Sequence, residues 1–323
     1  MRVEIREKLG LSAEQRTKVM AHSVDNVVNV LVGNFRLVGQ FAGQPDLFLP
    51  QVERLLAMSE HIDTPDALVE DLRWLTVHHQ SLRDALSAAA PVIAAAPEDK
   101  RPLAERCARA IDAVLDVVLV RAVEWIARHT HGDAWRRHAV ARLRGNFRQV
   151  MDAIVRNSLG RYRLVYRADE KAPGDYLLDL DFVAQDGESI TMPEVLQDCL
   201  RDLVCNARKY SPPGSTIRAS LAEAADGLRV SVSDDGAGIA ADEIARVVHF
   251  GVRGAGASAA PTMGGGYGLT KAWFVTEGLG GRMWIDSELG KGTTITIHLP
   301  YPADLGAGAP TTPRTLGHGA CSP

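Results

Sequence analysis

At 323 residues the chain is long enough for two domains of ordinary size. With 46% hydrophobic and 24% charged residues it has the balance of a soluble globular protein with ample apolar surface for a core. A formal net charge of −4 argues against wholesale nucleic-acid binding, which needs a basic surface.

The opening Met1-Arg2-Val3-Glu4 lacks the apolar centre of a signal peptide. The first half then reads as helices over 12–40, 50–61, 64–96, 98–130 and 133–158, rich in alanine, leucine and arginine. Ser12 with Gln15 makes a capping box, and Thr64 precedes Pro65 as an N-cap precedes a proline at the first helical position. The longest apolar run, 113–123, is broken by Asp116 and Arg121 and is too short to span a membrane. Near Arg161 the texture changes. Tyr162, Leu164 and Tyr166 alternate with other residues, and 176–183 reads as a strand. A helix over 192–210 ends at Ser211-Pro212-Pro213-Gly214. Strands at 216–221 and 228–233, a glycine-rich stretch at 251–268, a helix at 269–277 and strands at 282–286 and 293–299 follow. The Gly, Ala, Pro and Thr of the tail, 303–323, cannot bury enough surface to fold, so the tail is expected to be disordered. The fold class is therefore α+β: a helical region over 1–160, then an α/β sandwich over 161–302. Cys107, Cys199, Cys205 and Cys321 form no CxxC pair or zinc spacing, which fits free thiols in a reducing compartment. Together these features predict a cytoplasmic protein with no membrane insertion, served by a separate upstream sensor protein if the signal is external.

Four segments of the second half carry chemistry. In Asp202-Leu203-Val204-Cys205-Asn206-Ala207-Arg208-Lys209-Tyr210, an acid, an amide and a cation share one helix face at i, i+4 and i+7. An amide oxygen suits Mg²⁺ and an ammonium suits phosphate. Asp234-Asp235-Gly236-Ala237-Gly238-Ile239 follows an alternating strand; its glycines admit a flat ligand, and its carboxylate can accept a hydrogen bond from an exocyclic amine. Gly264-Gly265-Gly266-Tyr267-Gly268-Leu269 opens a helix, where main-chain N–H groups hold phosphate. It is no Walker loop, since no Gly-Lys-Ser/Thr follows. Gly290-Lys291-Gly292-Thr293 opens the last strand and offers a hydroxyl near the base. Each segment alone is weak, because each also occurs as an ordinary helix face or turn.

In this order and spacing the four resemble the Bergerat-type ATPase domain shared by histidine kinases, Hsp90 chaperones, type II topoisomerases and MutL repair proteins. Asn206 falls in the N-box, Asp234 in the first G-box, 264–269 in the second, and His249-Phe250-Gly251-Val252-Arg253-Gly254 resembles the F-box. The resemblance spans about 178–300. It implies ATP and Mg²⁺ as cofactors, with Asn206 on the metal and Asp234 on the adenine amine. Lys209 and the glycine-rich backbone would hold phosphates, and 254–265 would form a short mobile lid. The implied nucleotide set is Asn206, Lys209, Tyr210, Asp234, Gly236, Gly238, Arg253, Gly264, Gly266, Gly268, Leu269 and Thr293. Asn-Ala-Arg-Lys-Tyr-Ser-Pro and the closing Gly-Lys-Gly-Thr-Thr-Ile-Thr-Ile-His-Leu-Pro favour the histidine kinases.

In the first helix Val24, Val28, Leu31, Phe35 and Val38 are spaced four, three, four, three, a heptad seam expected to join two chains as a homodimer. His22, Asn26, Asn29 and Gly33 run beside it. The stretch from Ala21 to Asn34 resembles the H-box of hybrid-type histidine kinases, matching at His22, Asn26, Gly33 and Asn34. The resemblance makes His22 a phosphoacceptor and places Asn26 where such kinases orient a water for dephosphorylation. Ser23 stands where those kinases have the acid that activates the imidazole; Asp25, one turn on, is the candidate substitute. His22, Asp25, Asn26 and Asp202 form the expected catalytic set, and the aspartate of a separate response-regulator receiver domain is the expected acceptor. The alternatives are a serine/threonine kinase of the anti-sigma type, which needs no His22, and a non-catalytic protein in which ATP gates partner binding. Residues 97–158 exceed what a two-helix hairpin needs and receive no role.

Overall fold

In the computed structural model residues 1–158, 160–253, 265–303 and 305 are described. Gly264, nearly all of the expected lid and most of the tail, with Cys321, lie outside the described residues. A helical region is followed by a mixed α/β sheet domain, as expected.

The chain opens on a strand, β1 (Arg2–Ile5), and only then enters α1 (Ala13–Phe41). Both halves of the capping box form: Gln15 N–H donates to Ser12 Oγ (3.2 Å), and Ser12 N–H donates to Gln15 Oε1 (2.9 Å). Next come α2 (Leu49–Glu60), α3 (Pro65–Ala88) and α4 (Ala90–Ala94). The sequence predicts one helix over 64–96, but Pro91, lacking an N–H, starts a new one. The long α5 (Arg101–His131) lies along α1 and also packs on α3. Val24, Val28, Leu31, Phe35 and Val38 are all buried inside this single chain, Leu31, Phe35 and Val38 completely. The seam expected to join two chains is thus occupied by the chain's own helices, because 97–158 supplies the covering layer. Burying these five side chains contributes on the order of 10 kcal/mol before conformational entropy is subtracted.

Residues 133–139, expected to be helical, instead leave α5 as a strand, β2 (Trp135–Ala139), before α6 (Val140–Asn157). After the short β3 (Leu164–Val165) come β4 (Tyr176–Val183) and β5 (Ser189–Pro193). β5 pairs antiparallel with β2, so the end of α5 is tied to the start of α7 (Val195–Tyr210). Then follow β6 (Thr216–Ala224), β7 (Gly227–Asp234), α8 (Gly268–Gly278), β8 (Arg282–Glu288) and β9 (Gly292–Pro300). The main sheet has the order β1-β8-β9-β7-β6-β4-β3. β3, β4 and β6 are parallel neighbours, and the other pairs are antiparallel. Alternate residues face inward, for example Leu228, Val230 and Val232 on β7 and Ile295, Ile297 and Leu299 on β9. α7 and α8 cover that face, and α1 and α5 lie beyond them.

β1 is the least anticipated element. Four residues are too few to show a period, and their partner β8 lies near the other end of the chain, with Arg2 opposite Asp286 and Ile5 opposite Met283. The segment leading into α1 is thereby fixed to the sheet. Trp273 Nε1 donates to Glu7 O (2.7 Å), and His249 Nε2 meets the Glu7 carboxylate.

Candidate functional site

A cavity of about 410 Å³ opens between α1, α7, the end of β7 and the start of α8. That is within the size range of small-ligand pockets.

One wall comes from the sheet. β7 ends at Asp234, whose Oδ1 accepts from Gly236 N–H (2.8 Å). Burial pushes this carboxyl up to about 6; the Gly236 and Thr293 amides pull it partly back. Gly236, expected in the nucleotide set, does not line the cavity; it packs behind Asp234, where a Cβ would stand 2.6 Å from both Asp234 Oδ1 and Tyr210 O. At Gly238 φ is +71° and a Cβ would be 2.1 Å from Glu288 O, so no side chain fits. Thr293 lines the cavity, its hydroxyl bonded with Ser287 Oγ at 2.9 Å.

The second wall is α7. Asn206, Lys209 and Tyr210 line the cavity, as the helical spacing predicts. Burial, then the charges of Arg253 and Arg208, hold the Lys209 ammonium below its ordinary range. Arg253 also reaches the cavity. Opposite, Gly266 (φ +74°), Gly268 and Leu269 bring the N-terminus of α8 to the same space. At Gly268 a Cβ would be 2.8 Å from Asn206 Nδ2, so a side chain there would displace the Asn206 amide. The cavity is thus lined by a carboxylate, by cations and by a helix N-terminus. That arrangement suits an amine-bearing flat base joined to phosphates. Among the described residues no three His, Cys, Asp or Glu side chains converge to hold a metal ion. Asn206 fits Mg²⁺ only as one oxygen ligand sharing the ion with phosphate oxygens.

The third wall is α1. His22 and Asn26 line the cavity, Asn26 at its exposed mouth. The His22 ring stands edge-on to Tyr267, centroids 5.0 Å apart, and Tyr267 stacks on Phe250 at 4.8 Å. Burial lowers the His22 pKa, more than offsetting the pull of Asp202 and, more weakly, of Asp25. Asp25 is not part of the wall. Its Oδ1 accepts from Asn29 Nδ2 (2.8 Å), forward along the helix, so the expected reach back to His22 is not made. Ser23 is buried and donates to Asp198 Oδ2 (2.8 Å), facing away from any role as a base.

Asp202, expected among the catalytic residues, lies in the cavity wall and within a buried charge network. Lys271 Nζ, fully buried on α8, is 2.7 Å from Asp202 Oδ2 and 2.8 Å from Asp198 Oδ2. Arg121 of α5 pairs with Asp198, and Arg201 of α7 makes a two-pronged pair with Glu124, Nη1 to Oε1 at 2.9 Å. Burial raises the Asp202 pKa, but the charges of Lys271 and then Arg121 outweigh it, and the carboxyl ends below its ordinary value. Burial beside Arg201 brings the Arg121 pKa down to about 10. Sequence reasoning missed Asp198, Lys271, Arg121 and Tyr267. The one visible signal was Arg121, which with Asp116 interrupts the apolar run 113–123.

The family described as "Histidine kinase-, DNA gyrase B-, and HSP90-like ATPase" matches residues 191–303. The adaptive-response sensory kinase SasA of Synechococcus elongatus is 36% identical over 109 residues, covering 33% of this chain and 28% of SasA. The sensor histidine kinase WalK of Bacillus subtilis is 38% identical over 104 residues, 32% of this chain and 17% of WalK. The chain therefore spans well under a third of either relative's length. A solved structure of the mycobacterial sensor histidine kinase MprB covers 52% of this chain and 97% of its own, at 20% identity and a TM-score of 0.36. The matched sequence takes in Asn206, Asp234 and the α8 glycines that form the cavity. Residues 191–303 are thus a GHKL-type ATPase domain, of the kind carried by sensor histidine kinases.

Proposed function

We propose that the chain is an ATP-dependent protein-histidine kinase of a two-component system. In this reading His22 accepts the γ-phosphoryl group and passes it to an aspartate on the receiver domain of a separate response regulator. The observation that carries the reading is the placement of His22 in the wall of the same cavity as Asn206, Lys209 and Asp234.

Each group has a role that its surroundings suit. Ionised Asp234 accepts from the adenine amine. Lys209, Arg253 and the N–H groups at the start of α8 hold the phosphates. Asn206 holds Mg²⁺, which when bound offsets charge on the phosphates. Attack needs an unprotonated imidazole, and the lowered pKa of His22 keeps it neutral at pH 7. With Ser23 and Asp25 otherwise engaged, the nearby negative charge is that of Asp202, held ionised by Lys271. Asn26, exposed at the cavity mouth, would orient a water for dephosphorylating the regulator. An upstream sensor protein belongs to this reading as a partner, as does a homodimer, which would have to form on a face other than the buried α1 seam.

Incubation of wild type and His22→Ala with labelled ATP tests the reading. Label on wild type that resists base, is lost in acid and is missing from His22→Ala supports it. Acid-stable label retained by His22→Ala would replace it with a serine/threonine kinase, and tight ATP binding without transfer would leave an ATP-gated binding protein.

A further inference from the structure

We infer that His22 takes its phosphoryl group from the nucleotide held by its own chain. The inference rests on the kinase reading above and fixes the direction of transfer within it.

Position is the first ground. His22 lies beside the N-terminus of α8, where phosphates are proposed to sit: its ring partner Tyr267 is flanked by Gly266 and Gly268, and Gly268 abuts Asn206. The second ground is how firmly α1 is held there. The residue after His22, Ser23, bonds Asp198, which is also bound to Lys271 and Arg121. That one carboxylate therefore joins α1, α5, α7 and α8. Breaking a buried group of this kind is strongly unfavourable, since each partner removed leaves an uncompensated charge. The third ground is the tether. β1 is paired with β8, and Glu7 is bonded by Trp273, so only a few residues link the sheet to α1. Swinging α1 to a second chain would require stripping the edge strand, opening the charge network and uncovering the apolar seam that α5 fills. None of these is needed for transfer within the chain.

In the step, the lone pair of the unprotonated His22 ring nitrogen attacks the γ-phosphorus. A P–N bond forms and the bond from the γ-phosphorus to the bridging oxygen breaks, its electron pair leaving on ADP. The phosphorylated ring then releases its remaining extra proton to solvent. Tyr267, edge-on to the His22 ring and stacked on Phe250, acts as a positioning residue.

The test pairs two variants, His22→Ala with an intact nucleotide site and Asp234→Asn with an intact histidine. They carry tags of different size and are produced in one cell, so that any assembly is mixed. Transfer within a chain predicts no label on His22→Ala and, on Asp234→Asn, no more than that variant acquires alone, while wild type is labelled at a rate constant independent of protein concentration. More label on the Asp234→Asn chain in the mixture than the same variant acquires alone at that ATP concentration, or a rate that falls on dilution, would overturn the inference and leave the kinase reading standing. Absence of label from wild type would overturn both. Saturating ATP on the His22→Ala chain, checked by binding, shows that the donor in the mixture is competent.

Discussion

At Asp234, burial lifts the carboxyl to about 6 from an unfolded value near 3.8, yet the proposed adenine contact needs it ionised. The two demands oppose each other, and both are measurable. A folded pKa raised above the unfolded one means that the cost of the buried charge is full above about pH 6 and disappears as pH falls towards 3.8. Asp234→Asn should therefore stabilise the unliganded protein at pH 7 by about 1–2 kcal/mol, visible as a higher melting temperature that merges with wild type in acid. The same change should weaken ATP about tenfold or more, through loss of a charge-assisted hydrogen bond. ATP affinity of wild type should fall as pH drops through about 6, and that of Asp234→Asn should stay flat there. At saturating ATP the acid limb of phosphohistidine formation reports His22 instead, and its midpoint should lie below the ordinary 6.5 of histidine. A limb at or above 6.5 would remove the burial of His22 from the mechanism. Ser23→Asp, which a missing base would suggest as an improvement, should instead set a second carboxylate on Asp198 in a buried place. The expected result is a loss of roughly 2–4 kcal/mol of stability, read by denaturant unfolding, and no faster labelling.

Helix α1 shows what a periodicity can and cannot say. The seam of Val24, Val28, Leu31, Phe35 and Val38 is legible in the sequence, as are its capping box and nearly its full extent. The identity of the surface it meets is not legible, because α5 and a second chain would satisfy the same apolar stripe. Leu31→Asp should therefore unfold the chain, at a cost of about 4 kcal/mol or more, rather than release folded monomers; sedimentation with circular dichroism distinguishes the two outcomes. The nucleotide segments were readable for a different reason. Gly236 and Gly238 occupy places where close approach of backbone or a positive φ dictates the residue type, so their spacing after Asp234 leaves a local mark. β1 and β2 left none. Each is only a few residues long and exists through a partner distant in sequence, β8 or β5. Lys271 was hidden for the same reason: on its own helix it reads as a surface lysine, and only the packing of α8 on α7 buries it between two aspartates.

The first and last strands of the described residues, β1 and β9, belong to the same sheet, and the helical region lies between them along the chain. Met1, at the amino terminus, donates to Ser287 O (2.9 Å). Deleting residues 2–6 would expose the β8 edge and free the lead into α1. Nucleotide affinity should change little, since Asn206, Lys209 and Asp234 are untouched. Labelling of His22 should fall by about tenfold or more, because small misplacements of a nucleophile are costly. Equal labelling by the truncated and intact proteins would show that β1 has no part in placing His22. The account as a whole requires that phosphate from ATP arrive on one side chain, under control of one site. Mass-spectrometric peptide mapping at neutral pH, after incubation of the full chain with Mg-ATP, reads this directly. The account predicts a single phosphate on the peptide containing His22, lost on brief acid treatment and sharply reduced in Asp234→Asn at an ATP concentration that half-saturates wild type. Phosphate mapped to a serine or threonine, or phosphate on His22 that persists undiminished in Asp234→Asn, would contradict it.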